Sequence, residues 1–145
     1  MKTPTLGATM RIDVCVPGKP EPQGSMRHVG GGRMIHRPEL VAWRERIRAM
    51  VLREARRAGF PWGFDGPVVV EVEFALPKPA RSKYVGVPYG KPDLDKLMRA
   101  VGDALAPKKE LGLLADDGQI ISWTGSKVWA EREPWAAITI KTIPN

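Results

Sequence analysis

The 145-residue sequence predicts a single small α+β domain, a mostly antiparallel sheet with two main helices. The expected element order is strand, helix, strand, helix, strand, strand. Three observations lead there. Apolar residues recur at helical spacing in two segments, 38–58 and 93–105. They alternate at period two in four others. The length suits one hydrophobic core.

Residues 1–9 read as a flexible tail ahead of a domain covering 10–145. Arg11 to Val16 alternates, with Ile12, Val14 and Val16 on one side and Arg11 and Asp13 on the other, and Pro17 ends this half-buried strand. Cys15, the only cysteine, is expected as a small packed side chain there. A lone cysteine excludes an internal disulfide and a multi-cysteine zinc site. His28 and His36 have no Cys or His framework around them, so neither is assigned a metal.

Gly18 to Arg37 reads as a long glycine-rich loop carrying Lys19, Arg27, Arg33 and Arg37. It is either a basic arm lying along phosphates or a solvated loop. Pro38 to Ala58 is the longest helix, with Pro38 suited to its first turn and Gly59 to its stop. Leu40, Trp43, Ile47, Met50 and Val51 make its buried face. Arg44, Arg46, Arg48, Arg53, Arg56 and Arg57 crowd the remainder against Glu45 and Glu54, a balance that leans toward phosphate.

Val68 to Leu76 is a strand whose Val68, Val70, Val72, Phe74 and Leu76 face one way, with Glu71 and Glu73 on the solvent side. Pro77 to Pro92 is a second basic loop, with Lys78, Arg81, Lys83 and Lys91 interleaved by Tyr84 and Tyr89. Asp93 then starts a helix whose apolar stripe is Leu94, Met98, Val101 and Leu105. Ala106 to Ala115 connects to a turn at Asp116-Asp117-Gly118. Gln119 to Ala130 reads as a strand with Ile121, Trp123 and Trp129 on one face, and Trp135 to Ile143 as the last strand. The short turn between these two predicts a hairpin.

The net charge is +7 and unevenly placed. Residues 1–60 carry twelve Lys and Arg against five acids, giving +7, whereas residues 61–145 carry eleven of each. A basic field suits a polyanion, most simply nucleic acid. The opening residues lack the apolar core of a signal peptide and no apolar run is long enough to span a membrane, so the expectation is a cytoplasmic protein without a membrane partner.

The chemistry is concentrated in the acids. Asp93 follows Pro92 at an N-cap position and Asp95 lies in the first turn, so both carboxylates can face the open, positive end of the helix. That favours the ionised form that a divalent cation needs. The alternative is a pair of acids that merely stabilises the helix. Asp116 and Asp117 are a second acidic step, and if helix and strand pack side by side the two pairs can converge on a metal ion. Arg99, one turn below Asp95, is placed either to stabilise charge on a phosphoryl group or to pair with Asp95 or Asp103.

Pro92-Asp93-Leu94-Asp95-Lys96-Leu97, Asp103-Ala104-Leu105, Asp116-Asp117-Gly118-Gln119-Ile120-Ile121 and Lys127 together resemble the RusA family of Holliday-junction resolvases. Val16-Pro17-Gly18-Lys19-Pro20 and the closing strand are similar too, and the resemblance runs over residues 10–143. It implies a homodimeric, Mg²⁺-dependent endonuclease of four-way DNA junctions, with Mn²⁺ as the alternative ion and no nucleotide cofactor. It places catalytic carboxylates at Asp93, Asp95 and Asp117; Asp116 matches the neighbouring position and, as part of the same acidic step, is a further candidate metal ligand. A lysine important in the family falls on Arg99, and the Asn that often follows the second Asp is Lys96 here. Lys19, Arg27, Arg33, Lys78, Arg81, Lys83, Lys91, Lys96 and Lys127 are the expected DNA contacts. Two rivals are a non-catalytic basic DNA-binding protein and a nuclease acting mainly on flaps or forks. A nuclease of the PD-(D/E)xK class would need a downstream acid-x-Lys, which the chain lacks.

Overall fold

The computed structural model describes residues 9–24, 27–28, 34–81 and 86–144; residues 1–8 of the expected tail lie outside them, as do Arg33, Lys83 and Tyr84. The elements are β1 (Arg11–Pro17), β2 (Arg27–His28), β3 (Met34–Ile35), α1 (Pro38–Ala58), β4 (Val68–Leu76), α2 (Leu94–Leu105), a 3-10 turn (Asp117–Gln119), β5 (Ile120–Trp129) and β6 (Trp135–Thr142). The stretch 18–37, expected to be loop throughout, contains the short antiparallel pair β2–β3.

The main sheet has the order β1-β6-β4-β5. β6 runs antiparallel to both β1 and β4, and β5 runs parallel to β4. The expected hairpin between the last two strands does not form, because β4 lies between them. The reason is the route of the chain. β4, α2 and β5 make one crossover unit, which requires β5 beside β4 and parallel to it. The free edge left for β6 is therefore on the other side of β4.

Val68, Val70, Val72, Phe74 and Leu76 of β4 are buried with Ile12 and Val16 of β1 and Ala136, Ile138 and Ile140 of β6. Leu40, Trp43, Ile47 and Val51 of α1 and Leu97, Val101 and Leu105 of α2 close the same core. The opposite face of the sheet is polar. Lys141 Nζ lies 2.6 Å from Glu71, and Thr139 donates to Asp13 at 2.6 Å. The Arg11 hydrogen bond, and after it that of Thr139, holds the Asp13 carboxyl below its ordinary range. Cys15 is exposed rather than packed. It alternates with the buried Ile12 and Val16 side of β1 and so falls on this polar face.

α2 runs antiparallel to β5 and close to it, because two glycines remove side chains from the interface. A Cβ on Gly125 would overlap the sulfur of Met98, and one on Gly102 would come within 3.3 Å of the Trp123 ring. A glycine inside a helix costs about 1 kcal/mol relative to alanine, which marks Gly102 as a packing requirement. Gly125→Val is expected to push α2 off β5 and to lower stability by about 1–3 kcal/mol, read from thermal melts.

Candidate active site

α2 presents its N-terminal end at one end of the sheet. Asp93 occupies the N-cap position, yet its side chain makes no cap hydrogen bond. The expected N-cap position is thus correct, although the carboxylate does not bond the backbone there. Its Oδ2 lies 3.3 Å from Lys91 Nζ and 3.8 Å from Lys96 Nζ, so ammonium groups gather where the backbone N–H groups were expected. Asp95 is exposed in the first turn and its side chain has no partner among the described residues.

Lys127 holds this end in place. It lies on β5 opposite Phe74, on the helix side of the sheet. Its Nζ donates to the carbonyls of Gly90 at 2.8 Å and Pro92 at 3.0 Å, directly before Asp93. The sequence placed Lys127 among the DNA contacts, and nothing in its local pattern shows this bond. Only the register of β5 against α2 brings it there.

Asp117 sits at the other end of α2. It shares a groove of about 840 Å³ with Arg99, Gly102, Asp103 and Trp123. Six to ten residues of helix at about 1.5 Å each separate this point from Asp93, roughly 10–15 Å. Consistent with that, no group of three His, Cys, Asp or Glu among the described residues could hold a metal ion. Within one chain, Asp93 and Asp95 come together and Asp117 stands apart.

Asp116 caps the 3-10 turn. Its Oδ2 accepts from the Gly118 N–H at 2.8 Å, and the Gln119 side chain accepts from the Asp116 N–H at 2.7 Å. Gln119 Nε2 also donates to the carbonyls of Phe64 at 2.7 Å and Gly66 at 2.9 Å. This anchoring leaves the Asp117 side chain exposed and free to act. An acid three residues before a glutamine is a capping signal, so the bond between Gln119 and Asp116 is legible in the sequence, whereas those to Phe64 and Gly66 are not. Gln119→Ala strands these groups. It is expected to cost about 2 kcal/mol, a fall of roughly 5–10 °C in Tm by thermal melt.

Arg99 does not pair with Asp95 or Asp103. Asp103 pairs with Arg44 Nη1 at 3.6 Å instead, and Arg99 has no ion pair among the described residues. The arginines of α1 are largely committed inside the molecule. Arg46 donates to the Pro17 carbonyl, Arg48 bonds Glu45 and the Leu111 carbonyl, and Arg57 lies near Glu54. Lys19, Lys78 and Arg81 are exposed, and Arg27 is described only along its backbone.

Residues 17–141 match the family model described as endodeoxyribonuclease RusA. The chain belongs to the RusA family. No curated relative matches it. As a RusA protein it is a Holliday-junction resolvase, a metal-dependent endodeoxyribonuclease of branched DNA in recombination and repair. No helix among the described residues is long and apolar enough to cross a membrane.

Proposed function

We propose that this RusA protein works as a homodimer that uses Mg²⁺ to resolve four-way junctions by paired nicks. The observation that carries the reading is the family match over residues 17–141. The separation of the acids along α2 supports the dimer. A two-fold axis that sets α2 of one copy against the acidic turn of another brings Asp117 of the second copy to Asp93 and Asp95 of the first.

The residues suit the ion. Asp93 forgoes its cap bond and both nearby lysines lie on Oδ2, so Oδ1 has no partner among the described residues. Mg²⁺ is commonly held by one or two carboxylates with water and phosphate completing the shell. When bound, it polarises a phosphoryl oxygen and eases deprotonation of the attacking water. Asp93 and Asp95 hold it, Asp117 of the second copy completes the set, and Asp116 keeps the turn in shape. Arg99, unpaired beside Asp117, stabilises charge that develops on the phosphate; Arg is not a neutral replacement for Lys at such a position. Lys19, Lys78, Arg81, Lys91 and Lys96 supply sequence-independent phosphate contacts, which weaken steeply with salt. Arg27, Arg33 and Lys83 are proposed as contacts from the sequence alone.

The test is cleavage of a synthetic four-way junction with and without Mg²⁺, mapping nicks on every strand, with flaps and forks as competitors. Symmetric paired nicks that need the metal are expected. A junction left whole in Mg²⁺, or flaps cut in clear preference to it, would overturn the reading.

A further inference from the structure

We propose that the groove beside Asp117 takes an unpaired nucleotide from the branched strand, with Trp123 as its stacking platform and Arg99, Lys108 and Lys109 as its phosphate contacts. This rests on the nuclease reading above and adds to it how branched DNA is told from duplex.

The groove is open, about 840 Å³, and bounded by α1, α2, the 106–110 turn and the start of β5. That volume is within the range that encloses a ligand of nucleotide size. Its charges divide into two sets. Asp103, Glu45 and Glu110 are held by Arg44 and Arg48 at 3.6, 3.1 and 3.4 Å. Arg99, Lys108 and Lys109 have no partner among the described residues, and the remaining acid is Asp117 itself. The free charge of the groove is thus positive, with the proposed cutting acid at its edge.

Trp123 supplies a flat surface. Its ring lies against Gly102, where a Cβ would approach within 3.3 Å, and 37% of the residue remains exposed toward the groove. A base can stack on such a ring whatever its identity, but only after leaving a duplex. Strands at a crossover offer such bases, whereas continuous B-form DNA does not. The groove therefore selects for unpaired strand next to the scissile phosphate.

The experiment measures binding of a short labelled oligo(dT) and of a blunt duplex without divalent metal. Trp123→Ala is expected to weaken oligo(dT) binding by about tenfold or more, and Trp123→Phe to stay within about threefold of the parent. Duplex affinity should hold within about twofold. Lys108→Gln with Lys109→Gln should reduce the single-strand salt slope by about 1.4 and leave the duplex slope unchanged. These lysines lie on an exposed turn, so this variant decides the matter even where Trp123→Ala fails to fold. Equal losses on both DNAs, or no loss on either, overturn the proposal. Junction cleavage by the parent is measured alongside. Its absence with the oligo(dT) effects intact sinks the nuclease reading alone, while normal cleavage without those effects sinks the groove alone.

Discussion

Asp93→Asn and Asp117→Asn chains, each inactive alone, are expected to nick four-way junctions when mixed. Either substitution removes a carboxylate from the proposed metal site, a loss of several kcal/mol, about a thousandfold in rate. The acids lie roughly 10–15 Å apart along one α2, so the site is proposed to combine two copies. In a mixed dimer, one site then has Asp93 from the Asp117→Asn chain and Asp117 from the Asp93→Asn chain, and is complete. The other site lacks both. About half of the dimers are mixed after free exchange, so nicking should return to roughly a quarter of the parental rate. Single nicks should accumulate without their symmetric partners, because no mixed dimer has two working sites. Nick mapping on all four strands reads this directly. If the mixture stays inactive while differently tagged chains co-purify as mixed dimers, each site is built within one chain.

Lys127→Met is expected to raise the Mg²⁺ concentration for half-maximal cutting by about 10–100-fold, as losses of residues that orient metal ligands do. The ammonium of Lys127 bonds the carbonyls of Gly90 and Pro92, so removing it releases the loop that carries Asp93. Those bonds occupy the ammonium within the chain. Metal-free junction affinity and its salt dependence should therefore remain near the parental values. A salt slope reduced by one phosphate contact, with the Mg²⁺ requirement unchanged, would instead make Lys127 a DNA contact. Metal titrations of cleavage and metal-free binding curves separate the two outcomes.

Much of this architecture is legible in the sequence because the signals are local. α1 runs from Pro38 to Ala58 and β4 from Val68 to Leu76, as their end signals and periods indicate. α2 begins directly after Asp93 for the same reason. The neighbour relations are not local. Period-two alternation tells which side chains share a face, but not which strand lies alongside, so β5 and β6 looked like a hairpin. The register shift of β5 against Val68 and Val69 likewise breaks the expected Ile121–Trp123 face and leaves Ile121 61% exposed.

The site divides in the same way. Asp93, Asp95 and Asp117 are visible as motifs, and the family match spans all three positions. Their separation depends on the direction of α2 against β5, which no spacing encodes. Arg99 has no ion pair among the described residues, and Asp103 is taken by Arg44 of α1, a contact made across two helices. The groove has the same origin, with walls that come from four distant parts of the chain.

β6 lies between β1 and β4, and Arg11 stands opposite Lys141. Among the described residues, β1 pairs only with β6, the strand furthest from it in the sequence. Closing so long a span is slow compared with forming α1 or the β4–α2–β5 unit. Refolding is therefore expected to end with the docking of β1 against β6, after α1 and the β4–α2–β5 unit have formed.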